Sequence, residues 1–171
     1  MGTLLASVAT VVIAGLAFVG GGFVARPSGP DEAGRVSGAA GLFDVNERSG
    51  DAALELRLGY RWERRGKVLR PIVAAMATSQ GAFYACGGIA YDLPLGRRLV
   101  LTPSLAPGLY ARGGGLDLGH VIEFRSQLGL DYSLPHGARI GLFFSHMSNA
   151  HLGEKNPGVE SLVINYSKSF H

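Results

Sequence analysis

Polar and apolar residues alternate, one for one, through separate stretches of this 171-residue chain. Residues 54–62 read LELRLGYRW, with leucine at every second position of the first half, and residues 122–132 and 162–170 follow the same rule. Successive side chains of a β-strand point to opposite faces, so a period of two predicts strands with one apolar and one polar face. Helical spacing fits none of these stretches.

The alternation divides the chain into a series of strand-length runs. We place them at 35–45, 52–62, 68–78, 82–93, 99–109, 121–132, 138–148 and 161–170. The short connections contain Gly or Pro and lie at 63–67, 94–97 and 133–137, whereas the long ones lie at 110–120 and 149–160. Short turns alternating with long loops, between strands of about 9 to 11 residues, are typical of outer-membrane β-barrels. Alternation is poor in runs 35–45 and 68–78, so their faces stay unassigned.

The sequence therefore predicts an all-β fold, an eight-stranded antiparallel transmembrane β-barrel. Its polar face would fill the narrow lumen with residues that can pair, so we expect a plugged barrel instead of a pore. These residues are Glu55, Arg57, Arg61, Glu123, Arg125, Asp131 and Arg139. Tyr60, Trp62 and Tyr132 would lie at the membrane interface near the short turns. A soluble, lipocalin-like barrel with the apolar face inward is the alternative that composition leaves open.

The first 25 residues differ from the rest of the chain. Residues 4–19 are almost wholly apolar, three glycines follow, and the first basic residue is Arg26. This pattern predicts a signal peptide over 1–25 and a barrel domain over 26–171. An uncleaved membrane anchor is the alternative, because about 20 apolar residues can span a bilayer.

Composition narrows the classes of partner. The single cysteine, Cys86, excludes an intramolecular disulfide and is expected to be a buried, inert thiol. The net charge of +3 arises from basic residues spread along the chain, without a nucleic-acid-binding motif. It is better suited to an anionic lipid surface than to nucleic acid. No Cys or His residues have the spacing of zinc ligands, so we expect neither a metal nor a cofactor.

Polar residues interrupt the apolar rows of the last two runs. His146 and Ser148 continue the outward-facing row of run 138–148, and Glu160 has the outward parity of run 161–170. If residues 149–159 connect antiparallel strands, position 146 lies opposite 160–162, within reach of the carboxylate. Serine, histidine and glutamate together can cleave an ester: glutamate orients the imidazole, which takes the proton of the attacking serine. These polar side chains could also be solvated residues above the bilayer.

These residues also carry a family resemblance. The stretch His146-x-Ser148-Asn149-Ala150, followed by Asn156-x-Gly158-x-Glu160, resembles the signature of the lipid A 3-O-deacylases of the PagL type, which are eight-stranded outer-membrane barrels. Residues 41–45 and 54–57 are similar to the first hairpin of that family. This chain departs from the family in the loop after Ser148, where Ala150, His151 and Leu152 precede Gly153 and leave the backbone oxyanion donor undefined.

The resemblance implies roles for five residues. Ser148 would be the nucleophile, His146 the base and Glu160 the third member of the triad, with Asn156 as an oxyanion-hole side chain and Asn149 in support. The implied reaction is hydrolysis of the ester-linked 3-hydroxyacyl chain at position 3 of lipid A, in the outer leaflet of the bacterial outer membrane, with lipopolysaccharide as substrate. A non-catalytic structural or adhesion barrel is the alternative from another class. Dimerisation through the lipid-facing wall is left open.

Overall fold

The computed structural model describes residues 33–46, 51–63 and 69–170. The expected signal peptide or anchor at 1–25 lies outside these residues. The strands are β1 Gly34–Phe43, β2 Ala53–Arg61, β3 Arg70–Thr78, β4 Phe83–Ala90, β5 Leu93–Leu95, β6 Leu99–Ala111, β7 Ile122–Ser133, β8 Ala138–Ser148 and β9 Val159–Phe170. A short 3-10 turn, Pro135–Gly137, precedes β8. Within the described ranges, no helix has the length and apolar character needed to cross a membrane.

The strands form one closed antiparallel barrel. Consecutive strands pair with each other except β4 and β5, which both pair with β6, and the pairing of β1 with β9 closes the ring. Strands β4 and β5 are two parts of one barrel strand, because Ala90 faces Ser104 and Leu93 faces Leu101 in a single register on β6. Pro103 lies opposite the gap between them and has no backbone N–H to donate. The eight-stranded barrel is confirmed, with the run predicted at 82–93 interrupted at Tyr91 and Asp92.

The two faces of the barrel are distributed as the alternation predicts. On β2, Leu54, Leu56 and Leu58 are 66%, 66% and 70% exposed, whereas Glu55 and Arg57 between them are 1% and 7% exposed. The apolar wall therefore faces outward and the charged side chains face the lumen, as in barrels that contact lipid. The soluble-barrel alternative, which places the apolar face inward, is wrong for this chain.

Strands β1 and β3 also have defined faces, although their sequences alternate poorly. On β1, Arg35 and Phe43 are buried while Val36 and Leu42 are exposed. The interior positions between these ends hold small residues, Ser37, Ala39 and Gly41. The inner side chains of β1 are small, and β3 has alanines on both faces. Polarity therefore does not alternate clearly along these two strands, although their side chains do point to opposite faces.

Paired charges fill the lumen. Near the end where β1 begins, Asp92 accepts hydrogen bonds from Arg61, from Arg70 at 3.1 Å and from Arg139 at 3.3 Å. Thr102 donates a further one at 3.1 Å. Closer to the end where β1 finishes, Arg57 pairs with Glu55 and donates a hydrogen bond to Gln127. The Arg125 guanidinium lies over the Tyr84 ring, with its Cζ 5.4 Å from the ring centroid. The predicted burial of Cys86 is confirmed.

The connections at the two rims differ in length. We call the end where β1 finishes the upper rim; β2 begins there, and it carries the connections at 79–82, 112–121 and 149–158. At the opposite, lower rim β2 ends and β3 begins, and this rim carries the connections at 96–98 and 134–137. The predicted long loops before β7 and β9 are therefore both on the upper rim. The connection at 79–82 is an exception to that pattern, since it is a tight turn in which Gly81 adopts a φ of 83°.

Candidate active site

His146 and Glu160 face each other at the top of adjacent strands. They are direct register partners between β8 and β9, as the sequence predicts. His146 Nδ1 lies 2.9 Å from Glu160 Oε1. Since the carboxylate can only accept, Nδ1 carries the proton in this pair, and Nε2 is left with a free lone pair. The pair therefore orients an imidazole whose Nε2 can act as a base.

Ser148 lies two residues beyond His146 on the same outward face of β8. Residues at i and i+2 of a strand are separated by roughly 6.6 Å along it, a span that an imidazole can bridge by leaning toward the hydroxyl. Among the described residues the Ser148 hydroxyl is not hydrogen-bonded to His146 Nε2. Hydrogen bonds between catalytic groups are often long without substrate and tighten when it binds. The strand geometry brings the three predicted residues together at one point of the upper rim.

Glu160 is more enclosed than its outward parity suggests. Its side chain is 1% exposed, whereas that of His146 is 20% exposed. The segment after β1 covers it: Val45 N donates to Glu160 O at 3.1 Å, and Asn46 Nδ2 donates to Glu160 Oε2 at 2.7 Å. Sequence reasoning did not identify Asn46, because the contact joins residues 114 positions apart through a loop with no periodic pattern.

Asn149 holds the two long upper loops together. It is fully buried, and its Nδ2 donates to Leu118 O and Lys155 O, both at 2.8 Å. Its Oδ1 accepts from His151 N at 2.9 Å. Every polar atom of this side chain is therefore engaged with backbone groups of the 112–121 and 149–158 loops. Its position one residue after Ser148 makes it a support for the end of β8.

Asn156 and a strained turn complete the surroundings of Ser148. Asn156 Oδ1 accepts from Asn149 N at 3.0 Å, which leaves the Asn156 amide nitrogen to donate elsewhere. Ala150 and His151 both adopt the left-handed region, with φ of 53° and 65°. This region costs a non-glycine residue roughly 1 to 2 kcal/mol. Such strain occurs at functional sites when the surrounding structure holds it, as the Asn149 contacts do here.

An exposed ion pair also joins the same two loops. Lys155 Nζ donates to Asp117 Oδ2 at 2.8 Å, and Gly119 N donates to Asp117 Oδ1 at 2.9 Å. The hydrogen bond from Lys155, followed by that from the Gly119 amide, lowers the pKa of Asp117. The contact is therefore intact above the usual aspartate pKa and is lost only as the pH falls through the lowered value.

The apolar wall continues directly below this cluster. On β8 the outward residues beneath His146 are Phe144, Leu142 and Ile140, and on β9 those beneath Glu160 are Leu162, Ile164 and Tyr166. Ile164 and Leu142 are 61% and 52% exposed. The cluster thus lies at the upper edge of a lipid-facing surface. In the described part of the chain, no three His, Cys, Asp or Glu side chains form a group that could hold a metal ion.

Comparison with known proteins assigns the family. A family model described as lipid A 3-O-deacylase (PagL) matches residues 54–169, which is more than half of the chain. The chain belongs to this family. The lipid A deacylase PagL of Bordetella bronchiseptica is 38% identical over 53 residues, a match that spans 31% of this chain and 30% of that protein. These matches confirm the resemblance inferred from the 146–160 stretch. The lipid A 3-O-deacylases are ester hydrolases.

Solved structures support the fold of this deacylase family member. The crystal structure of the outer membrane enzyme PagL superimposes with a TM-score of 0.62 at 20% identity, covering 80% of this chain and 99% of that one. A de novo designed transmembrane β-barrel gives a TM-score of 0.57 at 10% identity, covering 81% and 96%. Neisserial surface protein A gives 0.51 at 15%, covering 80% and 96%. The chain is an outer-membrane β-barrel. Long loops like those of the upper rim are typical of the cell-surface end of such barrels.

Proposed function

We propose that this protein is a lipid A 3-O-deacylase, a serine esterase that removes the ester-linked 3-hydroxyacyl chain at position 3 of lipid A. The observation that carries the proposal is the His146–Glu160 hydrogen bond, placed beside Ser148 on the lipid-facing side of a barrel of this family. A barrel alone does not specify an activity, because the same architecture serves unrelated functions. The polar cluster at the rim supports an enzyme over a structural barrel.

The proposed reaction proceeds in two steps through an acyl-enzyme. His146 Nε2 removes the Ser148 proton as Oγ attacks the ester carbonyl, and the proton then passes to the sugar oxygen as the ester C–O bond breaks. A water molecule, deprotonated by the same nitrogen, hydrolyses the acyl-serine and releases the 3-hydroxy fatty acid. Glu160 accepts the Nδ1–H throughout and stabilises the imidazolium that forms transiently.

The oxyanion of each tetrahedral intermediate needs nearby donors. The Asn156 amide nitrogen is our candidate side-chain donor, because its Oδ1 is already engaged with Asn149 N and fixes the orientation of the amide. The backbone N–H groups of the strained turn that begins at Ala150 are the candidate backbone donors. Removing one such donor from a serine hydrolase typically costs about 10² to 10³ in kcat.

The position of the cluster suits a substrate that remains in the membrane. Its acyl chains can lie along the apolar wall below His146 and Glu160, while the sugar and phosphates stay at the level of the upper loops. The ester carbonyl then meets Ser148 at the boundary between hydrocarbon and head group. Lipopolysaccharide in the outer leaflet is thus the proposed substrate, and it reacts without leaving the bilayer.

Mass spectrometry of lipid A tests this function in cells. Expression of the protein should produce a lipid A species lighter by one ester-linked 3-hydroxyacyl chain than the lipid A of cells with an empty vector. Fragmentation should assign the loss to position 3. An unchanged lipid A profile, with the folded barrel present in the outer membrane, would favour a structural or adhesion role instead.

Gly158→Ala should impair catalysis more than folding. A Cβ on Gly158 would lie 2.7 Å from His146 Cε1, and the glycine φ of 66° disfavours other residues. The imidazole must shift to make room, and a displacement of about 1 Å can cost on the order of 10²-fold in rate. Kinetics in detergent, together with a thermal unfolding curve, measure the two effects separately. Wild-type activity in the variant would contradict the position assigned to the ring.

Asn149→Ala should loosen both upper loops. The substitution removes three hydrogen bonds from a fully buried side chain and leaves the carbonyls of Leu118 and Lys155 without this donor. We expect the stability of the loop region to fall by about 1 to 3 kcal/mol, with a lower kcat. Hydrogen exchange of the loop amides should accelerate in the variant, while amides of β2 and β3 keep their wild-type protection. Unchanged exchange in both loops would show that Asn149 is not the tether.

A further inference from the structure

Asn46 contacts the candidate triad from a distant part of the chain. Its Nδ2 donates to Glu160 Oε2 at 2.7 Å, while Glu160 Oε1 lies 2.9 Å from His146 Nδ1. The two oxygens of one carboxylate are thus engaged from opposite sides, by a loop after β1 and by β8. Neither the family resemblance nor the alternation of the sequence indicates a role for Asn46.

The backbone fixes the segment that carries Asn46. Strand β1 ends at Phe43, and Asp44 is buried with a φ of 61°, which turns the chain sharply. Val45 N then donates to Glu160 O at 3.1 Å. Main-chain and side-chain contacts to Glu160 therefore come from consecutive residues, so Asn46 is held at the carboxylate and does not meet it by chance rotation.

The carboxylate needs a second anchor. The terminal torsion of a glutamate is broad and has no sharp preferred angle, so one hydrogen bond alone leaves the plane of the carboxylate poorly fixed. An enclosed carboxylate also needs partners to offset its lost hydration. A neutral amide supplies a hydrogen bond without adding charge. It leaves the full negative charge of Glu160 available to the imidazolium that forms during the reaction.

We propose that Asn46 is a positioning residue of this active site, which orients Glu160 and, through it, the imidazole of His146. The inference rests on the proposed ester hydrolysis. On the described part of the segment that carries Asn46, the ionisable side chain is that of Asp44, which is buried. From the other described neighbours, β7 presents Phe124 and Ser126, and the 149–158 loop presents Gly158, none of which carries a charge.

Two variants of Asn46 and one control test the proposal. Asn46→Ala removes the anchor and should lower kcat about 10-fold with little change in KM, because orientation affects the chemical step. Asn46→Asp places a second negative charge beside Glu160, which favours the protonated imidazole. The acidic limb of the kcat/KM profile should therefore move to higher pH by about one unit, with activity recovering as the pH rises. Gln80→Glu adds the same charge to the 79–82 turn of the upper rim. The acidic limb of its kcat/KM profile should lie at the same pH as that of the wild type.

The readouts separate positioning from a purely structural role. If Asn46→Ala lowers only the unfolding temperature and the folded protein keeps the wild-type kcat, the inference is wrong. It is also wrong if Asn46→Asp folds and its acidic limb coincides with the wild-type limb. Should Asn46→Asp not fold, the kcat of Asn46→Ala decides alone. Failure of the proposed function has a different signature, namely no deacylation by the wild type or undiminished deacylation by Ser148→Ala.

Discussion

Ser148→Ala is expected to abolish lipid A deacylation while leaving the barrel intact. The hydroxyl is the proposed nucleophile, and loss of a serine nucleophile costs about 10⁴-fold or more in kcat in serine hydrolases. Ser148 is half-buried on the outer face and contributes nothing to the lumen, so the free energy of unfolding should stay close to that of the wild type. Release of 3-hydroxy fatty acid by purified protein, followed over time, measures the rate. His146→Ala should have the same result.

A second serine provides the matched control for this substitution. Ser133 lies at the lower end of β7, and its backbone N–H, not its hydroxyl, bonds to Arg98 O. Ser133→Ala should therefore keep the wild-type rate. A Ser148→Ala protein that still releases the fatty acid at the wild-type rate would contradict the proposed mechanism, because no acyl-serine could then form at this position.

Asp92→Asn is expected to be the most destabilising single change in the lumen. The carboxylate accepts hydrogen bonds from Arg61, Arg70 and Arg139, and the last two are almost fully buried. Replacing it with a neutral amide leaves three guanidinium groups facing one another without their shared counter-charge. Breaking a buried pair in this way typically costs about 3 to 5 kcal/mol. Urea unfolding of the barrel in lipid vesicles measures the loss.

Asp117→Asn is the control for the loss of one carboxylate. Asp117 forms its ion pairs with Lys155 and Arg112 on exposed loops, where screening by water leaves little net stabilisation. Its variant should unfold at the wild-type urea midpoint. If the midpoint of Asp92→Asn also matches that of the wild type, the cluster does not stabilise the lumen as the structure implies.

The alternation in the sequence was sufficient to predict most of the barrel. Strands such as β2 and β7 have bulky apolar residues on one face and charges on the other, so both their existence and their orientation follow from polarity. The gap between β4 and β5 did not follow, because it depends on Pro103 in the partner strand. Periodicity within one strand carries no information about a missing donor in the next strand.

The sequence predicted only part of the site. His146 and Glu160 could be placed opposite each other because both lie on strands joined by one connection, and the register follows from face parity. The contact of Asn46 with Glu160 depends on the course of a loop, and so do the four polar contacts of Asn149. Loop contacts between distant residues leave no periodic trace, so only the folded chain reveals them.

The strongest test of the account asks whether the ester is attacked from within the bilayer. In one reaction, protein and lipid A are placed in the same vesicles. In the other, they are placed in two different sets of vesicles, which are then mixed. Because Ser148, His146 and Glu160 lie at the edge of the lipid-facing wall, loss of the position-3 acyl chain should occur only when protein and lipid share a membrane. Equal deacylation in both arrangements, or none in the shared membrane, would contradict the account.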